Sequence, residues 1–515
     1  MKRVPFHVIL IGVFPILAFL ANNISEVYSF WVILRPMIVS LIGNLILFGV
    51  VWLLLRNIAK SALITTFLFT LFFSYGFLYN YLHTASIYLG RHRNLIIVYL
   101  IVLLLGLWGL KKIKDCSNLV QIVNFMSIIL VLFPIIQISS YSLHKGDVQT
   151  NPGQTQNNPA NLIENNPPER PDIYYLVLDS YTRGDVLKDI YDFDNSTFLD
   201  ELKNLGFYIA DCSKSNYALT RLSIASTMNL NYLSALDKKF NNPEEKDTLF
   251  AADWVINSFV RQQLEAIGYK TVYLSPMMFG DPFIYTPATH EYQYLDETAN
   301  SAFLPVITGF EGMLLENTGL KFLIDVMPGF AHFISLDMIA NFEHIRSTLF
   351  LLDSLEKITT IPGPKFVYLQ VIVPHGPFIF SPDGSIHPET SEYADNITAS
   401  YKKGYTDQVL YINSRILKIV KDMLSKPGTS PIIILQGDHG MRVENRMDIL
   451  NVYYLPNGVD QQLYPSISPV NSFRVIFNRY FGGRFELLED KAYYSKSEAP
   501  FYFELRPETS PACVK

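Results

Sequence analysis

The chain has 515 residues, a formal net charge of −6, and 49% hydrophobic against only 17% charged residues. It is long enough for more than one domain, too apolar for a purely water-soluble protein, and too mildly acidic for nucleic acid to be a main partner. Three cysteines exclude a disulfide framework, although Cys212 and Cys513 leave one pair open.

The apolar excess lies in residues 1–140. Five apolar stretches there are long enough to span a bilayer, each crossing needing ~20 residues: Val4–Leu20, Pro36–Leu55, Ala62–Leu82, Leu95–Leu110 and Leu119–Ile138. Five in succession are not a signal peptide. Lys2 and Arg3, Arg56 and Lys60, and Lys111, Lys112 and Lys114 fall on one side of the membrane, which the positive-inside rule makes cytoplasmic. Arg91 and Arg93 are the exception. An odd number of spans puts the rest of the chain outside the cytoplasm. The expectation is an α-helical, multi-pass anchor in the cell (inner) membrane. It lacks the paired intramembrane ionisable groups of a transporter.

Residues 141–170 hold an Asn-, Gln- and Pro-rich run from Gly146 to Arg170, which reads as a linker. Asp172–Asp179 (DIYYLVLD) is then an apolar strand ending in an acid. Asn195–Gly206 has helical spacing, with Ser196 as its cap and Gly206 as its stop. With the short strand Phe207–Ala210 it makes a β-α-β pattern, which predicts a parallel sheet. Ser213–Leu233 is a loop entering a helix, with Thr220 in the first turn near unpaired N–H groups that suit an anion. Phe259–Gly268 and Thr271–Ser275 repeat helix then strand. Phe366–Val373 is a further strand, followed by Pro374-His375-Gly376. Tyr401–Lys421 is a long amphipathic helix, and Pro431–Gly440 (PIIILQGDHG) a buried strand ending in Asp438 and His439. The apolar stretch from Asp281 to Leu355 follows no clear period.

Three strand ends thus carry Asp179, His375 and Asp438 with His439. A parallel sheet collects such ends on one edge, however distant in sequence. Asp179, Thr220, Asp438 and His439 form a plausible four-ligand site: two carboxylates, one imidazole and a hydroxyl, suited to one divalent metal ion such as Mn or Zn. Coordination would make the Thr220 hydroxyl a usable nucleophile.

The segments IYYLVLDSY, SNYALTRLSIAS, VPHGPF, QGDHG, LNVYYLP and SPVNSFRVIF, in this order, resemble the alkaline phosphatase superfamily in its sulfatase-like branch. That branch includes membrane-anchored lipoteichoic acid synthases and lipid A phosphoethanolamine transferases. The resemblance covers roughly residues 170–485. It implies an α/β catalytic domain with a mainly parallel central sheet over residues 171–485, leaving 486–515 as a C-terminal extension. It also implies metal ligation by Asp179, Thr220, Asp438 and His439, nucleophilic attack by Thr220, and contact of His375 with substrate or leaving group. Asn216 and Arg442 become candidate anion contacts.

Thr220 is followed by Arg-Leu-Ser-Ile and lacks the C/S-x-P-S-R signature of sulfatases proper. A rival alignment puts Cys212 at the nucleophile position. Asp179 is followed by Ser180 rather than a second acid, so one metal is expected. The other histidines of this half, His290, His332, His344 and His387, read as core or surface residues. The expected activity is metal-dependent phosphoester hydrolysis or transfer on a membrane lipid or envelope polymer. The alternatives are a sulfuric ester hydrolase and an inactive envelope-binding domain.

Overall fold

The computed structural model describes residues 4–24, 30–85, 90–147, 163, 170–248, 250–275, 283–285, 309–327, 336–359, 361–386, 397–426, 430–441, 445–456, 462–508 and 513. The chain divides into two compact units. The first comprises residues 1–149, 278–280 and 304–340, and the second the remainder.

The first unit is built on α1 (His7–Asn22), α2 (Leu34–Leu55), α3 (Ile58–Ala85), α4 (His92–Lys112) and α5 (Ser117–Asp147). Among the described residues four helices, α2 to α5, are long and apolar enough to cross a membrane, one fewer than the sequence reading expected. The difference is α1. Its 16 residues rise ~24 Å, short of a ~30 Å hydrocarbon core. Polar groups tie α1 into the bundle: the His7 amide donates to Asn124 Oδ1 at 3.0 Å, Ser40 Oγ to Gly12 O at 2.6 Å, and Asn44 Nδ2 to Val8 O at 2.6 Å. Helix α5 continues past residue 141, where the linker was expected to begin.

The second unit carries a seven-stranded sheet. In chain order its elements begin β1 (Ile173–Leu178), α6 (Gly184–Tyr191), α7 (Ser196–Asn204), β2 (Tyr208–Ile209), α8 (Thr220–Met228), α9 (Phe259–Ala266), β3 (Lys270–Ser275) and β4 (Phe283–Tyr285). The chain then contributes α10 (Gly309–Glu316) and α11 (Leu320–Val326) to the first unit. It resumes the second through α12 (Leu336–Ile358), β5 (Lys365–Val371), α13 (Ala399–Ser425), β6 (Ile432–Gly437), β7 (Asn451–Tyr454), α14 (Pro469–Tyr480) and the hairpin β8 (Tyr493–Lys496) and β9 (Ala499–Leu505).

The strand order is β2-β7-β6-β1-β5-β3-β4. Strands β6, β1, β5 and β3 are mutually parallel, the expected parallel centre, while towards the edges β7 and β4 pair antiparallel with their neighbours, so the sheet as a whole is mixed. The expected β-α-β unit is also corrected. Strand β2 has two residues and lies at the far edge, antiparallel to β7, while β1 takes the long apolar strands β5 and β6 as partners. Alternation explains why: Tyr174, Leu176 and Leu178 face one core with α6, α7, α12 and α13, and Ile173, Tyr175 and Val177 face another with α8, α9 and α14. A strand buried on both faces reads as a continuous apolar run and belongs at the sheet centre.

Candidate metal centre

Strands β1 and β6 run side by side with Leu178 opposite Gly437, so Asp179 and Asp438 leave the sheet together. The turn after β1 is specialised. Ser180 adopts φ 62°, a left-handed conformation costing a side-chain-bearing residue roughly 1–2 kcal/mol. In return its amide donates to Asp438 Oδ1 at 2.9 Å and its hydroxyl to Asp179 Oδ1 at 3.0 Å. A Cβ at Gly437 would stand 2.3 Å from the Tyr181 carbonyl oxygen, so only glycine lets this turn close over β6.

His439 Nδ1 lies 3.0 Å from the Gly440 carbonyl, which can only accept. The proton therefore sits on Nδ1, and Nε2 presents a lone pair to the site. From Nε2 it is 3.4 Å to Asp438 Oδ2, 3.9 Å to Asp179 Oδ1 and 3.1 Å to Thr220 Oγ1. Ligands held ~2.0–2.1 Å from a tetrahedral cation sit about 3.3 Å from each other, close to these separations. One ligand atom from each of Asp179, Asp438 and His439 falls within 4.8 Å of the others, and all three residues are buried. Among the described residues Asp438 Oδ2 is buried with no hydrogen-bond partner. A buried carboxylate oxygen left unpaired in this way is costly unless a cation faces it. The residues fit a divalent metal.

Burial pushes the Asp179 carboxyl up to about 6, with Asp438 adding to the effect. Burial, then the Arg446 guanidinium, brings His439 down to about 3. Both shifts disfavour charge wherever a compensating cation does not offset it.

Thr220 is the first residue of α8 and is half-buried. The loop before it is fixed from below by Ser215, whose hydroxyl donates to Asp438 O at 2.5 Å and lies 3.0 Å from Ser223 Oγ. Asn216 does not face this opening. It is fully buried, donates to Ser468 Oγ at 3.1 Å and Lys491 O at 2.9 Å, and accepts from the Val470 amide at 2.8 Å. Its expected anion contact is replaced by capping the start of α14. Arg442 lies outside the described residues. His375 follows β5 and is half-buried. Its Nδ1 lies 2.6 Å from Gly376 O, and its amide donates to Asp179 O at 3.1 Å. That amide contact ties the loop after β5 directly to the end of β1.

The sequence reading missed Arg446. Its Nε donates to Ala218 O at 2.9 Å and its Nη2 reaches His439 Nε2 at 3.0 Å. It is the second of two arginines, after Arg442, that follow the Gly-Asp-His-Gly turn, and no local pattern distinguishes it. Cys212 is bonded to Cys513, with Cα atoms 5.5 Å apart, so the rival placement of the nucleophile at Cys212 does not hold. His344 is a buried residue of α12, while His290, His332 and His387 lie outside the described residues.

No family model matches the chain, and no curated protein does. Solved structures similar to it include the zinc complex of the C-terminal periplasmic domain of EptC from Escherichia coli, at 12% identity and TM-score 0.38, covering 65% of this chain and 92% of that one. The corresponding domain of the phosphoethanolamine transferase EptC from Campylobacter jejuni aligns at 12% identity and TM-score 0.35, covering 64% and 94%. The phosphonate monoester hydrolase of Agrobacterium radiobacter aligns at 13% identity and TM-score 0.33, covering 63% and 80%.

Proposed function

We propose that the chain is a membrane-anchored, metal-dependent phosphoester transferase or hydrolase with Thr220 as nucleophile, acting on a lipid head group or envelope polymer outside the cytoplasm. The observation carrying this reading is the convergence of Thr220 Oγ1 on His439 Nε2 at 3.1 Å, beside Asp438 Oδ2, which has no hydrogen-bond partner among the described residues. Asp179, Asp438, His439 and Thr220 would hold one Mn or Zn ion. When bound, it would lower the pKa of the threonine hydroxyl and offset charge on the phosphoryl group.

The chain's own residues supply the rest. Thr220, at the positive end of α8, gives its hydroxyl proton to solvent and attacks phosphorus, forming a threonine phosphoester as the bond from phosphorus to the departing oxygen breaks. Arg446, whose guanidinium already reaches into the site, turns to the non-bridging oxygens. His375 gives a proton to the departing alcohol. An acceptor alcohol or water then releases the group from Thr220. The Cys212–Cys513 disulfide supports an extracytoplasmic site, because such bonds persist in oxidising compartments.

Intact-mass analysis of the full chain, incubated with Mn or Zn and mixed phospholipids, tests the reading. The expected result is a metal-dependent mass increment that maps to Thr220 and is absent from Thr220→Ala. An increment that persists in Thr220→Ala overturns the nucleophile, and no turnover with any phosphoester favours an inactive binding domain.

A further inference from the structure

The first unit contains a groove unrelated to the metal centre. It has a volume of about 290 Å³ and is walled by Leu68 and Leu71 of α3 and Leu100 and Leu103 of α4, with Gly319 and Phe322 across one end. Its walls are almost wholly apolar, and they belong to two helices long enough to cross a membrane. On α4 its lining residues run from Ile96 to Leu103, a rise of ~10 Å. That is about two thirds of one leaflet of a ~30 Å hydrocarbon core.

The closed end is held in place by backbone contacts. The Gly319 amide donates to Phe72 O at 2.7 Å and the Phe77 amide to Asn317 O at 3.3 Å. A Cβ on Gly76 would come within 2.4 Å of Glu316 O, so the α10–α11 turn lies directly on α3 at a glycine.

Beside this end is a polar rim of mixed sign. Lys321 Nζ lies 3.0 Å from Asp325 Oδ1 and 3.9 Å from Glu316 Oε2. His92 Nε2 lies 2.9 Å from Asp325 Oδ2, while its Nδ1 lies 2.9 Å from the hydroxyl of Tyr75, a groove residue. An apolar groove that ends beside one ammonium and two carboxylates has the chemical outline of an amphiphile. A second transmembrane helix fits poorly, because close helix approach uses small residues and these walls are leucine-rich.

We propose that this groove binds one acyl chain of a zwitterionic phospholipid, with the lipid phosphate at Lys321 and its ammonium at Glu316 and Asp325. The proposal rests on the membrane reading of α3 and α4 and not on the transfer chemistry. A chain seated in the groove comes from bilayer hydrocarbon and not from water, so its retention is set by packing against the groove walls and by the head-group contacts.

The test uses the full chain in nanodiscs of equal phosphatidylethanolamine and phosphatidylglycerol, read by native mass spectrometry of the released protein. A Thr220→Ala background prevents head-group turnover, so failure of the proposed reaction cannot affect the result. The expected outcome is one zwitterionic lipid retained per chain. Leu100→Trp, which fills the groove from a half-exposed position and takes the space of the acyl chain, should reduce retention about tenfold. Leu104→Trp, on the same helix but outside the groove, should not. Lys321→Gln should remove the head-group preference, lowering zwitterionic retention roughly fivefold. Equal retention in Leu100→Trp and Leu104→Trp would mean annular lipid only and overturn the site. Preferential retention of phosphatidylglycerol would overturn the head-group assignment.

Discussion

Asp179 concentrates the electrostatic conflict of the site. Its carboxyl is buried within reach of a second buried carboxylate, and the folded chain raises it from 3.8 to about 6. A raised acid favours the protonated folded state. Its stabilising contribution is therefore complete below pH ~3.8 and lost as the pH rises through about 6. His439, depressed from 6.5 to about 3, contributes stability that is complete above pH ~6.5 and lost as the pH falls through about 3. At pH 8 the metal-free chain thus carries a destabilising Asp179 charge. Asp179→Asn should raise the metal-free stability there by on the order of 1–3 kcal/mol and abolish stabilisation by added Zn or Mn. In the parent chain, metal affinity should fall as the pH drops below about 6, as Asp179 takes up its proton. Thermal melts with and without chelator at pH 5 and 8 check all three. An Asp179→Asn chain that melts lower than the parent in chelator at pH 8 would contradict the picture.

At the scale of elements, the same site shows what could be read beforehand. Strands β1, β5 and β6 announced themselves as continuous apolar runs ending in Asp179, near His375, and in Asp438-His439, because burial on both faces leaves no room for polar residues. The start of α8 at Thr220 followed from the loop pattern before it. Strand β2 was legible as a strand but not in its placement, since two residues carry too little pattern to specify an edge position. Asn216 and Arg446 show the remaining limit. A polar residue's role depends on what surrounds it in space, and the groups that engage Asn216, Ser468, Val470 and Lys491, lie over 250 residues away in sequence. The Cys212–Cys513 bond was left open for the same reason. It closes a separation of 301 residues and pins the chain end to the loop that leads into α8. Around it, Glu508 lies 3.4 Å from Arg183 and 3.8 Å from Lys214. Cross-linking so long a loop contributes up to about 5 kcal/mol in the chain-entropy model. Cys513→Ser should lower the melting temperature of the second unit by roughly 5–10 °C. Reductant should lower the parent to the same value and leave Cys513→Ser unchanged.

The whole molecule differs from a membrane anchor joined by a linker to a catalytic domain. The stretch between β4 and α12, whose apolar residues followed no clear period, supplies α10 and α11 to the first unit. Its pattern was opaque because these helices bury side chains among other helices instead of against one sheet face. Phe310 is fully buried with Ile16 and Leu20 of α1, Leu314 and Ile324 are also buried, and Glu311 forms a bidentate ion pair with Arg35 of α2. Cutting the chain at residue 170 to obtain a soluble catalytic half would leave these groups without their partners. Phe310, Leu314 and Ile324 would each meet water at a cost of about 1.5–3 kcal/mol, and together they would make an adhesive apolar patch. A chain of residues 170–515 should therefore aggregate or require detergent. The same chain with residues 304–340 replaced by a short Gly-Ser linker should be monomeric and should keep its metal-dependent stabilisation, because Asp179, Thr220, Asp438 and His439 all belong to the second unit. Light scattering and melting of the two truncations, with and without Zn, distinguish this arrangement from a simple anchor and linker. A monodisperse 170–515 chain in the absence of detergent would be incompatible with α10 and α11 belonging to the membrane unit.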